Sequence, residues 1–170
     1  MYSINQTRYF QEYLTLKNCG DNIARLSSSL FESKITLNPH QINAALAFFK
    51  NPKRKGLILA DEVGLGKTIE AGLVISQYWY EKKDKILIIA PASLIRQWSE
   101  ELFDKFHLPS TILDSKTIKE KGAILERGIY ITSINAVYLN KEAFKTKFDI
   151  VVIDEAHKLR NVYKDKGVLA

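Results

Sequence analysis

The amino-acid sequence predicts an α/β fold in which a mainly parallel sheet is covered by helices. Three observations predict it. The runs ILIIA at 86–90 and DIVVID at 149–154 are continuously apolar rather than alternating, as strands buried on both faces are. From Leu57 onward, short β-like runs alternate with helical stretches, the pattern of successive βαβ units. A Gly-x-Gly-Lys-Thr turn stands between the first such run and the first helix of the series.

Taken in order, residues 5–31 read as helical, with Tyr9, Tyr13, Leu14, Leu16, Ile23, Leu26 and Leu30 as apolar positions and Gly20 ending the first helix. Residues 1–36 form a helical N-terminal segment without a usable motif, and the α/β lobe is expected over 37–170. It opens on LNPHQINAALAFFKN, where Asn38 serves as N-cap and Pro39 takes the first helical position. Ile42, Ala45, Leu46 and Phe49 give this helix its apolar face. NPKRKG at 51–56 is a charged, turn-rich connector. Strands are expected at Leu57–Ala60, Ile86–Ala90, Thr111–Leu113, Ile129–Thr132 and Ile150–Ile153. The helices between them are expected at 67–82, 93–106, 116–125 and 134–146.

The chain has 170 residues, 46% hydrophobic and 26% charged, enough for one domain with a core of its own. Its formal net charge of +6 permits a polyanionic partner, although a solvated surface explains the same balance. Cys19 is the only cysteine, so no disulfide forms within the chain, which fits a reducing compartment. The N-terminus lacks a basic region followed by an apolar run, and no stretch approaches the ~18 apolar residues of a membrane span. The reading is a soluble, cytoplasmic protein without a membrane partner.

A phosphate-binding loop needs inward-facing backbone N–H groups, a lysine for the β/γ-phosphates and a hydroxyl for Mg²⁺. In DEVGLGKT, 61–68, Gly64 and Gly66 supply a backbone that can approach phosphate, Lys67 the cation and Thr68 the metal ligand. Asp61 stands where a strict loop has its first glycine, at the outer end, where glycine matters least. The helix beginning at 67 aims its N-terminus at the anion. A glycine-rich strand-to-helix turn would share these glycines.

Such a loop requires a carboxylate partner, because Mg²⁺ takes oxygen ligands. FDIVVIDEAH, 148–157, supplies Asp154 at the C-terminal edge of a strand, where α/β sheets bind ligands. Glu155 can orient and deprotonate an attacking water. A solvated acidic helix start looks similar in isolation; its pairing with the loop argues for the nucleotide reading.

DEVGLGKT together with DEAH resembles the ATPases of helicase superfamily two. The pair is similar in particular to the SWI/SNF-type DNA translocases, among them the bacterial branch of RNA-polymerase-recycling ATPases. That family's loop reads D-E-x-G-L-G-K-T, so the resemblance makes Asp61, Glu62, Val63, Gly64, Leu65, Gly66, Lys67 and Thr68 the nucleotide-binding stretch. LNPHQ resembles the family's adenine-recognising motif, which implies that role for Gln41; unaided, Gln41 reads as a surface helix residue. IIAPASLIRQW, 88–98, is similar to the first nucleic-acid motif and ITS, 131–133, to the next, which implies backbone contacts to DNA through Ser93, Thr132 and Ser133. DEAHKLRN implies that His157 links the ATP site to the DNA face. Trp98 and the Tyr78-Trp79-Tyr80 cluster read as packing.

What the resemblance implies is a RecA-like lobe using ATP and Mg²⁺, with Lys67, Asp154 and Glu155 in the catalytic set and Thr68 and Asp154 on the metal. Its partner is double-stranded DNA, with RNA polymerase a partner in the parent family. The family's lobe continues beyond the DEAH strand into a further strand, set between the loop strand and the DEAH strand, and then a second lobe with arginine fingers. The sheet is therefore expected to be incomplete at its C-terminal end. A DEAH-type RNA helicase lobe and a non-catalytic fragment that binds nucleotide or a partner weakly stay open as alternatives.

Overall fold

The computed structural model describes residues 38–50, 56–60, 66–83, 85–121 and 126–157. The expected helices of 5–31, the boundary at 36/37 and Cys19 lie outside the described residues. The chain divides into two compact units. The first comprises the described residues up to Tyr80 with Asp104–His107, the second Glu81–Phe103 and the described residues from Leu108 onward.

In the first unit, α1 spans Pro39–Phe49. Asn38 precedes it in extended backbone, with φ −89° and ψ 145°, and Pro39 presets the first helical φ. Gln41, Ile42, Ala45 and Leu46 form the buried stripe, the i, i+3, i+4 spacing of a helix that covers a core on one side. Helix α2, Lys67–Tyr80, packs against α1 and is buried continuously from Glu70 to Gln77. Phe48 and Phe49 meet Tyr78 at ring-centroid distances of 6.1 and 6.3 Å, in the range of favourable aromatic pairs. Gly72 lies against the Phe106 ring, and a Cβ there would come within 3.1 Å of Cδ2.

In the second unit, four parallel strands run in the order β2–β3–β1–β4: β1 Lys85–Ile89, β2 Ser110–Leu113, β3 Gly128–Thr132 and β4 Ile150–Ile153. Ile86 pairs with Ile129 on one side and Ile150 on the other, so β1, like β3, is an interior strand, and its middle three residues are buried. Between strands lie α3 (Ile95–Phe106), α4 (Ser115–Lys121) and α5 (Ile134–Leu139). Asp149 joins the start of β4 to the start of β1. Its N–H donates to Lys85 O at 2.9 Å, and its Oδ2 accepts from Lys85 N–H at 3.1 Å. A smaller core of Leu113, Ile118, Ala136 and Ala143 is flanked by Tyr130, Phe144 and Phe148.

Three expectations are corrected. Leu57–Ala60 is not a strand, and Ile58 is 87% exposed. A four-residue run becomes a strand only by pairing, and its apolar composition cannot substitute for a partner. Strand β4, expected to be buried on both faces, exposes Val151 (46%) and Ile153 (41%). The two alternate with the half-buried Ile150 and Val152, so they share one face of the sheet, and that face is exposed at β4. Finally, the helix expected over 134–146 stops at Leu139 and resumes as a 3₁₀ turn, Lys141–Phe144. Asn140 interrupts it with φ −129° and ψ 42°, and its Nδ2 donates to Ala136 O at 2.9 Å, competing for the helix's own carbonyl. No helix of the described residues is long and apolar enough to cross a membrane.

Candidate functional site

In the first unit the sequence-predicted residues gather at the start of α2. Asp61, Glu62, Val63, Gly64 and Leu65 lie outside the described residues. Gly66 is described, with φ +88°, a left-handed backbone that glycine adopts without steric cost. Its carbonyl accepts from the N–H groups of Ile69 and Glu70 at 2.8 and 3.2 Å, so the helix is wound directly off this residue. Lys67 and Thr68 are the first two helical residues, both partly exposed. The opening turn of a helix has N–H groups without intrahelical partners and the positive end of the macrodipole, a setting that favours an anion.

Gln41 is 3% exposed, which corrects its unaided reading as a surface residue. Its Oε1 accepts from Asn38 N–H at 3.1 Å, closing one half of a capping box at the start of α1. Its Nε2 lies against Gly66, in the space a Cβ there would occupy. The amide therefore ties the start of α1 to the residue from which α2 begins. This contact was missed in the sequence because it joins positions far apart along the chain, each ordinary on its own.

In the second unit the site residues stand at the C-terminal edge of the parallel sheet. Asp154 follows β4, and its N–H donates to Ile89 O at 2.8 Å, extending the ladder by one bond. Its carboxylate is partly buried and held on both oxygens: Oδ1 accepts from Glu155 N–H at 2.8 Å and Oδ2 from the indole Nε1–H of Trp98 at 2.9 Å. Glu155 adopts a left-handed backbone, φ +52°, sparsely populated for a non-glycine residue and costing on the order of 1–3 kcal/mol. Its carboxylate is exposed and lies 3.0 Å from Nδ1 of His157, also exposed.

A single carboxylate with two neutral donors keeps lone pairs for a cation. Among the described residues no group of three or more His, Cys, Asp or Glu could cage a metal. This donor set fits Mg²⁺, which is commonly held by one or two carboxylates plus substrate phosphates.

Ser93 follows the end of β1, Thr132 is the last residue of β3 and Ser133 comes after it; the two strands are neighbours. Ser93 is exposed, in the turn leading to α3, where Leu94 N–H donates to Pro91 O at 2.8 Å. Ser133 caps α5, its Oγ accepting from Ala136 N–H at 3.1 Å. The Thr132 side chain is corrected: it is 0% exposed, and its hydroxyl donates to Leu113 O at 2.8 Å across to β2. It serves the sheet and presents nothing to a nucleic acid. Trp98, 4% exposed, is packed as expected; its bond to Asp154 was missed, although a buried indole N–H signals that it requires an acceptor.

The chain matches the model of the SNF2-related domain over residues 21–166. It is 38% identical to an uncharacterized ATP-dependent helicase, YqhH, of Bacillus subtilis (strain 168), over 80% of this chain and 24% of that protein. It is 34% identical to the RNA polymerase-associated protein RapA of Proteus mirabilis (strain HI4320), over 94% of this chain and 17% of that protein. The chain thus spans less than a quarter of the length of these relatives. Among solved structures it is similar to the Sulfolobus solfataricus SWI2/SNF2 ATPase core in complex with dsDNA. There the TM-score is 0.70 and the identity 28%, with 78% of this chain and 28% of that chain covered.

Proposed function

Because this chain belongs to the SNF2-related family and has the RecA-like fold of a SWI2/SNF2 ATPase core, we propose that it is the ATP-binding lobe of an ATP-dependent translocase on duplex DNA. The observation that carries the reading is the Asp154–Glu155 pair at the C-terminal end of β4. One carboxylate there is fixed by two neutral donors, and the next is exposed on a strained backbone. An acid held on both oxygens beside an exposed one suits metal ligation followed by proton transfer from water.

In this reading Lys67 neutralises the β/γ-phosphates at the start of α2, and Thr68 and Asp154 are the oxygen ligands of Mg²⁺. When bound, Mg²⁺ neutralises developing charge on the phosphates. Glu155 orients the attacking water and takes its proton, and His157, beside Glu155, carries the state of the site towards the DNA side. Gln41 reads adenine through its amide, Oε1 already being shared with Asn38 N–H. Ser93 and Ser133, at one sheet edge, contact the phosphate backbone. Such contacts carry no base information, so binding is sequence-tolerant and weakens with salt. The double-stranded DNA of the solved relative supports duplex over single strands. The relatives described as RNA polymerase-associated put that enzyme forward as a partner of a longer parent.

Titration calorimetry with Mg-ATP on the full chain tests the site. Lys67→Ala abolishes binding, because the phosphates lose their cation while the backbone stays. Glu155→Gln leaves binding intact and lowers any DNA-stimulated turnover by ~10²–10⁴. Equal affinity before and after the Lys67 change overturns the loop assignment.

A further inference from the structure

We propose that Trp98 is a positioning residue for Asp154. Its indole N–H sets the rotamer of the carboxylate, so that the remaining lone pairs face a divalent cation brought in by nucleotide. The inference rests on the reading of Asp154 as a metal ligand and adds a residue outside the DEAH stretch.

Three hydrogen bonds fix Asp154. Two of them are made by main-chain groups of the strand region itself: Asp154 N–H to Ile89 O, and Glu155 N–H to Oδ1. The third comes from α3, 56 positions away in sequence, where Trp98 Nε1–H reaches Oδ2 at 2.9 Å. The first holds the backbone to β1 and leaves the side chain untouched, and the second is made within the turn that leaves β4. Only the third ties the carboxylate itself to another element, so it decides how the carboxylate is turned.

The chemistry of the donor matters as much as its place. Indole is donor-only and neutral. A lysine or arginine at this distance would hold Oδ2 as firmly, but its charge would offset the negative charge that attracts a cation. A hydroxyl could rotate away or accept instead. A buried ring of fixed orientation offers one N–H in one direction and leaves the formal charge of Asp154 intact. The bond is charge-assisted, so it is stronger than a bond from the same N–H to a backbone carbonyl. Groups that hydrogen-bond a metal-ligating carboxylate typically change metal affinity 10–100-fold when removed.

The experiment uses the full chain with ADP and Mn²⁺ in place of Mg²⁺, the free Mn²⁺ being followed by electron paramagnetic resonance so that no turnover is needed. Four proteins are compared: the unaltered chain, Asp154→Asn, Trp98→Phe, and a chain carrying 3-benzothienylalanine at position 98. The last keeps the bicyclic shape and replaces only the N–H by sulfur, so it separates hydrogen bonding from packing if Trp98→Phe fails to fold. Asp154→Asn is expected to weaken Mn²⁺ binding strongly. The benzothienyl chain is expected to weaken it 10–100-fold, with ADP affinity in EDTA and the far-ultraviolet dichroism unchanged. In the unaltered chain, the Trp98 indole N–H resonance is expected to move when Mg²⁺ and ADP bind. If the benzothienyl chain binds Mn²⁺ as tightly as the unaltered chain while Asp154→Asn does not, Trp98 only packs; the inference is overturned and the metal reading of Asp154 stands. If Asp154→Asn also binds normally, that reading falls and takes the inference with it.

Discussion

Replacing Gly66 by alanine probes the junction on which the proposed nucleotide site depends. Two costs follow from the structure. At φ +88°, an L-residue pays roughly 1–2 kcal/mol for the left-handed backbone. The new Cβ also collides with Nε2 of Gln41, so that side chain must turn away. Gln41 is buried and accepts from Asn38 N–H at 3.1 Å, so turning it sacrifices that bond, about 0.5–1.5 kcal/mol net. The contact with Ile69 Cδ1, at 3.5 Å, is ordinary and adds nothing. The expected loss is therefore roughly 1.5–3.5 kcal/mol, read as a lower urea midpoint by far-ultraviolet dichroism. Gln41→Ala supplies the internal control. In its background the collision and the hydrogen bond are already gone, so Gly66→Ala should cost only the backbone part, leaving a coupling of about 1 kcal/mol between the two sites. Nucleotide affinity should fall in the single Gly66→Ala variant, because the helix start and the amide proposed to read adenine are displaced together. Strictly additive costs in the double-mutant cycle would falsify the contact between Gln41 and Gly66.

Three further outcomes are expected. Gly72→Ala gains helix propensity of about 1 kcal/mol but drives its methyl into the Phe106 ring, overpacking that costs ~1–3 kcal/mol. The net thermal destabilisation should be relieved when Phe106→Leu is added; a stabilised single variant would mean the ring moves aside freely. Thr132→Val removes the hydroxyl that donates to Leu113 O and should lose about 1 kcal/mol of stability with unchanged affinity for duplex DNA; weakened DNA binding at full stability would restore Thr132 as a contact. The Asp114 carboxyl is held below its ordinary value of 3.8, chiefly by the backbone N–H of Thr117 at 2.7 Å from Oδ1, ahead of α4. A depressed carboxyl stabilises the fold above its unfolded value and ceases to as pH falls through the folded one. Acid titration of the melting temperature below pH ~4 should therefore be flatter in Asp114→Asn, and parallel curves would rule out this cap as a contributor.

What the sequence determined alone was what is written locally. The apolar runs at 86–90 and 150–153 marked strands, and their lack of alternation marked a parallel sheet. Asn38 and Pro39 marked the start of α1, and the Gly-Lys-Thr turn marked the start of α2. The place of Asp154 at a strand's C-terminal end followed from four apolar residues before it. Each of these depends on neighbours within a few positions, which is the range over which propensity, capping and periodicity act.

Only the tertiary structure decided the rest. Leu57–Ala60 is as apolar as a strand, but a strand exists only with a partner, and Ile58 is exposed. The composition of β4 matches that of β1, yet Val151 and Ile153 alternate with the half-buried Ile150 and Val152 and share a sheet face that is exposed at β4, whereas the middle of β1 is buried on both faces. Thr132 and Ser133 are adjacent polar residues in one motif; alternation across the strand end buries the first beside Leu113 and leaves the second to cap α5. Gln41 meets Gly66, and Trp98 meets Asp154, through side chains brought together from separate elements. A sequence records which groups must be satisfied, such as a buried indole N–H or a carboxylate. Which group satisfies which is set by packing between distant segments, because hydrogen bonds of this kind depend on positions in space that no local pattern encodes.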